Sequence, residues 1–241
     1  MLYRSHRGGV YYTPENTVPA FRDALAQKFD CIETDPTFTK DGVIVLIHDP
    51  TLNRTCRNAD GSELPEKIFV EDLTYEELMT YDAGIFKGEE FRGTRVPRLD
   101  ELLALAEGTD TVIALDKKIG TDRIDELFDV VARYKTKVSF SCKDTERIRV
   151  VLDRFPDAII DYDGNTTEED LKAVCDLVPY EQLIVWLYLD KPNFAWLTDR
   201  YKASPENCER VKKYARLGVA NTINAYDTLE AIKYDPYMVE V

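Results

Sequence analysis

The stretch Val112–Asp161 reads VIALDKKIGTDRIDELFDVVARYKTKVSFSCKDTERIRVVLDRFPDAIID and alternates between two kinds of segment. Short runs of apolar and β-branched residues predict strands, because such side chains suit the half-buried surface of a sheet. Between these runs, apolar residues recur three and four positions apart, as in amphipathic helices. The strands are predicted at Val112–Leu115, Val138–Ser141 and Ala158–Asp161, and the helices at Asp122–Arg133 and Asp144–Arg154. This alternation is typical of a parallel α/β fold.

The same rhythm extends over the rest of the chain. Further strands are predicted at Leu2–Ser5, Cys31–Thr34, Val43–Ile47, Leu183–Leu189 and Ala220–Ile223. Further helices are predicted at Thr17–Lys28, Leu99–Ala106, Thr167–Leu177 and Ser204–Leu217, the last one ending at Gly218. Eight strands with intervening helices in 241 residues predict a (β/α)8 TIM barrel, built as a single domain over residues 1–241.

Two intervals depart from the rhythm. Only Asp35–Gly42 separates the second and third predicted strands, which is too short for a helical crossover, so we expect an extended return segment there. About 65 residues separate the third and fourth strands, and this interval includes a short helix near Tyr75–Tyr81 and ends at Pro97. We expect a small inserted subdomain after the third strand, at about residues 50–97, beside the mouth of the barrel.

The charge balance limits the possible partners. The chain has 31 basic and 45 acidic residues, a net charge of −14. This field repels nucleic acid and anionic membranes, and no apolar run is long enough for a transmembrane helix, so we expect neither nucleic-acid binding nor membrane insertion. A phosphate ligand would be repelled as well, so a phosphate site would need local cations.

Cysteine usage and the N-terminal segment bear on the compartment. The five cysteines are scattered and odd in number, which predicts reduced, mostly buried thiols. Residues 1–9 carry no apolar core of a signal peptide. We therefore expect a cytoplasmic protein, and its oligomeric state stays open.

The chain contains only two histidines, His6 and His48, and each directly follows a predicted strand. The carboxyl ends of barrel strands form the active face of a TIM barrel. Two imidazoles that meet there can serve as general acid and general base near neutral pH. An ordinary hydrogen-bonded role is the alternative for either histidine alone, but their matching positions favour catalysis.

Three carboxylates also stand at predicted strand ends. Glu33 and Asp35 lie two residues apart, so they share one face of the strand and can bind one hard cation. Chance alone gives about eight acid-x-acid pairs in a chain this acidic, so the position at a strand end is what distinguishes this pair. Asp116 follows a third strand, and Lys118 lies two residues further on. A solvated loop pair is the alternative for Asp116 and Lys118.

The segment after His6 contains a candidate phosphate ligand. Arg7 can donate two N–H groups to a phosphate, and the glycines that follow it allow a close approach of the backbone. The stretch Pro14–Thr17 precedes the first helix, but Pro205–Asn207 recurs at a later helix start, so this pattern alone indicates a helix start. A site role for Glu15 and Asn16 therefore depends on their proximity to His6.

Several spaced motifs agree in order along the first 105 residues. They are His6-Arg7-Gly8, Pro14-Glu15-Asn16-Thr17 with Ala20-Phe21, Ile32-Glu33-Thr34-Asp35, Thr39-Lys40-Asp41-Gly42, His48-Asp49, Arg54-Thr55 and Val96-Pro97-Arg98-Leu99-Asp100-Glu101-Leu102. In this arrangement the chain resembles the glycerophosphodiester phosphodiesterase family. The second half matches weakly: Asp116-Lys117-Lys118 stands where the family has Glu-x-Lys, and the shorter aspartate could alter the choice or position of a metal.

The resemblance implies a metal-dependent phosphodiesterase of lipid metabolism. It implies hydrolysis of glycerophosphodiesters to glycerol 3-phosphate and an alcohol, with His6 as base and His48 as acid, or the reverse. It also implies Mg²⁺ or Ca²⁺ as the cation, a choice that agrees with hard oxygen ligands. The implied metal ligands are Glu33, Asp35 and Asp116, and the implied substrate-binding residues are Arg7, Glu15, Lys118 and Trp186.

Two other functions stay open. One is a non-catalytic barrel that binds a metal or phosphoester, and the other is a cyclising lyase similar to phospholipase-D-like toxins. Those toxins are secreted and disulfide-bonded, which an odd cysteine count does not favour.

Overall fold

The computed structural model describes residues 1–191 and 197–241. Within these residues, eight parallel strands close into a barrel, which confirms the predicted (β/α)8 fold. In barrel order they are β1 (Leu2–Ser5), β10 (Met238–Glu240), β9 (Arg216–Ala220), β8 (Leu183–Tyr188), β7 (Ile159–Tyr162), β6 (Val138–Cys142), β5 (Val112–Leu115) and β2 (Cys31–Thr34). Strands β3 (Pro36–Phe38) and β4 (Ile44–Leu46) form a separate antiparallel pair.

The α-helices fall mainly between the barrel strands. They are α1 (Val18–Ala26), α2 (Tyr75–Leu78), α3 (Leu99–Ala106), α4 (Ile124–Val131), α5 (Thr145–Arg154), α6 (Glu168–Cys175), α7 (Pro205–Lys212) and α8 (Ala225–Ile232). Side-chain caps begin several of them: the Thr74 hydroxyl accepts the N–H of Glu77, and Ser204 accepts the N–H of Asn207. In the parts of the chain that the structure describes, no helix has both the length and the apolar character needed to cross a bilayer.

The chain divides into two compact units, residues 5–137 and residues 1–4 with 138–241. In the first unit, β2 and β5 pair in parallel, with Cys31 opposite Val112 and Thr34 opposite Leu115. Its largest fully buried side chains are Phe21, Ile32, Leu46, Leu52, Leu78, Leu99, Leu102, Leu103, Ile113 and Phe128. In the second unit, Phe140 and Trp186 are the largest fully buried side chains.

The third predicted strand is present but is not a barrel strand. Val43–Ile47 appears as β4 and pairs antiparallel with β3, with Phe38 opposite Ile44. The turn between them includes Gly42 at a φ of 80°, as expected for the extended return predicted over Asp35–Gly42. All three residues of β4 are buried, so it has the continuous apolar character of a barrel strand.

The sequence prediction was wrong near the C-terminus. Ala220–Ile223 is not a strand; β9 ends at Ala220, and α7 ends at Lys212 instead of continuing to Leu217. Gly218, read as a helix end, lies inside β9 because the Trp186 ring packs against it. The eighth barrel strand is β10, which is only three residues long and was not predicted, nor was α8.

Residues 45–96 contain a hydrophobic cluster of their own. Its buried members are Val45, Ile47, Leu52, Cys56, Leu64, Val70, Leu78, Ala83 and Val96. This cluster is consistent with the inserted subdomain, whose limits at about residues 50–97 stay a prediction, as does the assignment of the whole chain to one domain.

We expect Gly218→Ala to lower the free energy of unfolding by about 1–3 kcal/mol, the usual cost of overpacking a core. An added Cβ at Gly218 would lie 2.6 Å from Cδ2 and Cε3 of Trp186. Urea denaturation monitored by circular dichroism measures the change. Gly120→Ala is the matched control, because its Cβ would meet only the flexible carboxylate of Asp122. Equal losses in the two variants would contradict the packing explanation.

Candidate active site

His6 and Arg7 lie in a tight turn directly after β1. Together with Gly8 they form a turn whose dihedrals are not those of a right-handed helix, since Arg7 has a φ of 54° and Gly8 a φ of 77°. A Cβ at Gly8 would come within 2.7 Å of the Phe21 ring, so only glycine fits this position without rearrangement. The turn directs the backbone N–H of Arg7 to Glu33 Oε2, at 3.0 Å. The His6–Arg7 pair is thereby attached to the end of β2.

The predicted carboxylates at the end of β2 are both buried: Glu33 is 7% exposed and Asp35 is 2% exposed. Asn16 Nδ2 donates to Asp35 Oδ2 at 2.7 Å. Two cations also face Asp35, with Arg7 Nε 3.6 Å from Oδ2 and Lys118 Nζ 3.4 Å from Oδ1. These two distances exceed ordinary N–H···O hydrogen bonds, so the cations stabilise Asp35 mainly by charge.

His6 lies beside the second carboxylate. Its Nε2 is 4.0 Å from Glu33 Oε2, and its side chain is 36% exposed. A ring in this position is open to solvent on one side and next to a buried anion on the other. It can therefore exchange protons with a ligand at the end of β2.

Asp116 follows β5, the strand that pairs with β2. Its backbone N–H donates to the carbonyl of Thr34 at 3.0 Å, which continues the β2–β5 ladder. Its side chain is about a quarter exposed, and its Oδ1 lies 3.6 Å from Lys117 Nζ. The backbone thus brings Asp116 to the same end of the sheet as Glu33, while its side chain pairs with a neighbouring lysine.

The three predicted metal ligands are all carboxylates, a donor set that fits a hard divalent cation. Within residues 1–191 and 197–241, no group of three or more His, Cys, Asp or Glu side chains is arranged to hold a metal ion. Glu33 and Asp35 are the buried donors of the set, and Asp116 is the more exposed one.

His48 reaches the end of β2 through the β3–β4 hairpin. The expectation that both histidines follow barrel strands was therefore wrong for His48. Pro36 pairs with Leu46, and the N–H of Ile47 donates to the carbonyl of Asp35 at 3.0 Å. Because the hairpin is antiparallel, the chain that leaves β2 at Asp35 returns beside it at His48.

Lys118 connects this hairpin to β5. Its Nζ donates to the carbonyl of His48 at 2.6 Å and lies 3.4 Å from Asp35 Oδ1. The ammonium group is thus placed between the second histidine and a buried carboxylate. The alternative of a solvated loop pair for Lys118 does not fit these contacts.

A chain of ion pairs connects His48 to Arg7. His48 Nδ1 is 2.7 Å from Asp49 Oδ1, and Asp49 Oδ2 accepts a hydrogen bond from Arg54 Nε at 2.7 Å. Arg54 donates from NH1 to Glu15 Oε2 at 2.7 Å. Glu15 Oε1 in turn accepts from Arg7 NH1 at 2.7 Å. Glu15 is therefore close to the histidine–arginine turn, as its predicted site role requires.

Glu15 and Asp49, the two carboxylates in this series of ion pairs, are ionised at neutral pH. Burial alone would raise the pKa of Glu15, but hydrogen bonds from Arg54 and the charges of Arg7 and Arg54 lower it to about 2. Burial is likewise outweighed at Asp49, where hydrogen bonds from Arg54 and His48 hold the pKa well below its usual value. An ionised carboxylate only accepts hydrogen bonds, so His48 donates from Nδ1 and its Nε2 is left for proton transfer.

Trp186 belongs to the unit of residues 1–4 and 138–241. Its indole Nε1 donates to Asp161 Oδ1 at 2.8 Å, and the Arg4 guanidinium lies 3.4 Å from its ring centroid. Gly218 packs against the ring as well, and the residue is 1% exposed. Trp186 is thus buried within its own unit, and its contact with a substrate stays a prediction.

Sequence reasoning did not assign site roles to Asn16, Asp49 or Arg54. All three lie in the motifs that resemble the family, which was the available signal. A site role for Asn16 depended, as for Glu15, on proximity to His6, because the segment is also a helix start, and α1 does begin just after it. Its φ of 55°, however, turns its amide toward Asp35. The same short segment therefore serves both the helix start and the site.

The fold and site define a class: (β/α)8 barrels that carry their functional side chains at and just after the strand ends. The model of the glycerophosphoryl diester phosphodiesterase family matches residues 6–161, more than half of the chain. The chain belongs to this family, which confirms the resemblance found in its motifs.

Two relatives carry the family's activity in their names. A glycerophosphodiester phosphodiesterase from Caldanaerobacter subterraneus is 42% identical over 119 residues, which are 49% of this chain and 46% of that protein. A glycerophosphodiester phosphodiesterase from Bacillus altitudinis is 44% identical over 101 residues, 42% of this chain and 38% of that protein. The matched segments thus span less than half of the length of either relative.

Solved structures share the fold over the full chain. A glycerophosphoryl diester phosphodiesterase from Parabacteroides distasonis has a TM-score of 0.76 at 23% identity, covering 99% of this chain and 81% of that one. A phosphodiesterase from Oleispira antarctica, solved with the product sn-glycerol-3-phosphate, has a TM-score of 0.77 at 18% identity, covering 100% and 92%. At these identities the comparison establishes the barrel fold.

The lowered pKa of Glu15 predicts a pH-dependent contribution to stability. In the unfolded chain the pKa is 4.5 and in the folded chain about 2, so ionised Glu15 stabilises the fold fully above pH 4.5 and loses this effect as the pH falls toward 2. We expect the unfolding free energy of Glu15→Gln to fall less than that of the wild type between about pH 5 and pH 3. Urea titrations at several pH values measure both slopes.

The exposed Glu66→Gln variant controls for the loss of one charge and should keep the wild-type slope. If Glu15→Gln also kept that slope, the ion pairs of Glu15 with Arg7 and Arg54 would not stabilise the fold.

Proposed function

We propose that this protein hydrolyses glycerophosphodiesters to glycerol 3-phosphate and an alcohol, using a divalent cation and two histidines. The main supporting observation is that Arg7, Lys118 and the segment before His48 all lie beside Asp35, which is buried. In addition, His6 lies beside Glu33. Family membership and the product complex of the Oleispira phosphodiesterase support the substrate class.

Arg7 and Lys118 are the proposed phosphate ligands. A phosphodiester anion approaches a protein of net charge −14, so it needs positive groups that are available at the site. Arg7 Nε is buried and has no hydrogen-bond partner among the described residues, and Lys118 Nζ faces Asp35 at more than hydrogen-bond length. Both groups can therefore turn positive charge toward a phosphate oxygen.

The family generally depends on a divalent cation. Glu33 and Asp35, with Asp116 as the third carboxylate, would hold Mg²⁺ or Ca²⁺ here. When bound, such a cation polarises the phosphate oxygens and offsets the negative charge of the reacting group. The buried carboxylates of β2 supply the anionic oxygens that hard cations prefer.

The histidines move the protons. His6 accepts the proton of the attacking hydroxyl as the new P–O bond forms, and His48 donates a proton from Nε2 to the alcohol oxygen as its P–O bond breaks. The hydrogen bond between His48 Nδ1 and Asp49 orients the ring for this transfer. The attacking hydroxyl belongs to water, or to the substrate's glycerol, in which case water opens the resulting cyclic phosphate.

We expect His6→Ala and His48→Ala each to reduce turnover by about 10²–10⁴-fold or more, because each removes a proton-transfer group. Both side chains are more than a third exposed, so the fold should persist. Release of glycerol 3-phosphate in a coupled assay measures turnover, and circular dichroism checks the fold. Near-wild-type rates in either folded variant would refute the assigned roles.

We expect chelation to abolish turnover and Mg²⁺ or Ca²⁺ to restore it. Asp116→Asn should raise the cation concentration needed for half-maximal activity by about tenfold or more, because it weakens a charged oxygen donor. Asp110→Asn is the matched control, since Asp110 is fully exposed and pairs with Lys137. The assay uses several glycerophosphodiesters, including glycerophosphocholine and glycerophosphoethanolamine.

The same assay separates the alternative functions. Activity that survives chelation would exclude the cation role. A cyclic phosphate as the only product would identify a cyclising lyase. Tight binding of a glycerophosphodiester without any product would identify a non-catalytic barrel.

A further inference from the structure

We infer that Arg54 is a positioning residue that aligns His48 with Arg7 by binding Asp49 and Glu15 at the same time. The inference rests on the proposed function, because that function gives His48 and Arg7 their roles. Arg54 would contact neither the substrate nor the reacting atoms.

The planar guanidinium of Arg54 donates two hydrogen bonds to each of two carboxylates. Toward Asp49, Nε donates at 2.7 Å and NH2 at 3.0 Å. Toward Glu15, NH1 donates at 2.7 Å and NH2 at 2.8 Å. A rigid guanidinium that binds two carboxylates in this way fixes their relative orientation, which a lysine ammonium cannot do.

The two carboxylates belong to different segments. Glu15 lies between β1 and α1 and is 39 residues from Arg54 in sequence, whereas Asp49 lies five residues from Arg54 in the segment after β4. Each carboxylate contacts one member of the proposed machinery, since Asp49 pairs with His48 and Glu15 with Arg7. Arg54 therefore joins the segment of the proposed acid to the segment of the proposed phosphate ligand.

The stability of the fold does not by itself explain why Arg54 binds both Asp49 and Glu15. The Arg54 side chain is 44% exposed, so solvent reduces its own share of the stability that Arg7 and Arg54 together give to ionised Glu15. Geometry at a reacting centre is far more sensitive, since a misplacement of about 1 Å can cost about 100-fold in rate. Loss of Arg54 should therefore affect turnover much more than folding.

The kinetic test compares Arg54→Gln and Arg54→Lys with Arg92→Gln. Arg92 is the matched control, because it makes the same kind of double contact, at 2.6 and 3.0 Å, with the exposed Glu89. We expect kcat to fall by about 100-fold in Arg54→Gln, with KM changed by less than about threefold. Arg54→Lys should lose less, because it retains a charge for one carboxylate, and Arg92→Gln should be unchanged.

A second measurement does not depend on turnover. With only two histidines in the chain, the ring nitrogen resonances of His48 can be assigned in ¹⁵N-labelled protein by comparison with His6→Ala. In the wild type and in Arg92→Gln we expect a protected Nδ1–H on His48, because Asp49 accepts its proton. In Arg54→Gln this proton should exchange with solvent at least about tenfold faster, because Asp49 is no longer held.

The two measurements separate the possible failures. If the wild type turns over but Arg54→Gln keeps both its kcat and its protected Nδ1–H, the positioning role is wrong. An effect of Arg54→Gln confined to KM would make Arg54 a substrate ligand and also overturn the inference. If the wild type hydrolyses no glycerophosphodiester while only Arg54→Gln loses the protected proton, the proposed function fails and the positioning role stands.

Discussion

Asp35 is a carboxylate that is almost fully buried in a protein with a net charge of −14. A buried anion is strongly destabilising unless charges and hydrogen bonds compensate it. The Asp35 carboxylate obtains that compensation from two segments, Asn16 and Arg7 before α1 and Lys118 after β5. The hairpin also returns beside it, because the N–H of Ile47 donates to the backbone carbonyl of Asp35. The need to stabilise one buried charge thus gathers the loops that carry the other functional side chains.

The hairpin is the feature that makes this gathering possible. In a barrel built only from βα units, a second histidine would have to come from the next strand end. Here the chain reverses at Gly42 and returns antiparallel, so that His48 comes back beside Asp35, the residue from which the chain left β2. The insertion that follows then supplies Arg54, which binds back to Glu15. One departure from the regular barrel therefore positions both the second histidine and its ion-pair partners.

Most barrel strands follow from local patterns, but β9, β10 and the hairpin strand β4 do not. Cys31–Thr34 and Val112–Leu115 were predicted with their observed limits, because each contains apolar or β-branched residues and is followed directly by an aspartate. Strand β10 has only three residues, and Gly218 in β9 is explained by a tertiary contact with Trp186, so neither could be recognised from periodicity. Val43–Ile47 was predicted as a barrel strand because β4 is fully buried, and its apolar sequence therefore does not differ from that of a barrel strand.

For the site, the sequence predicted residue types that are rare or placed at strand ends, such as the two histidines and the Glu33–Asp35 pair. It marked Arg54 only through the Arg54-Thr55 motif and could not give its ion-pair partners, because the chain has 31 basic and 45 acidic residues and any of them could pair. The contact of Arg54 with Glu15 depends on how two distant segments come together in the fold. The role of Trp186 was taken from a family pattern and stays a prediction; its side chain is buried among Arg4, Asp161 and Gly218.

The N···O distances of the ion pairs divide the cations of the site into two kinds. Some are held by short contacts and stay paired, and others make longer contacts and can exchange partners. Arg54 is held by contacts of 2.7–3.0 Å on both sides, and its partners are fixed carboxylates. By contrast, Lys118 Nζ and Arg7 Nε approach Asp35 only to 3.4 and 3.6 Å. Under the proposed function a phosphate would take the place of Asp35 as partner, and little energy would be lost because both contacts are longer than a full hydrogen bond. The proposed function requires a site that binds and releases an anion in every turnover, and such a site needs tight pairs to keep its shape and looser ones to receive the ligand.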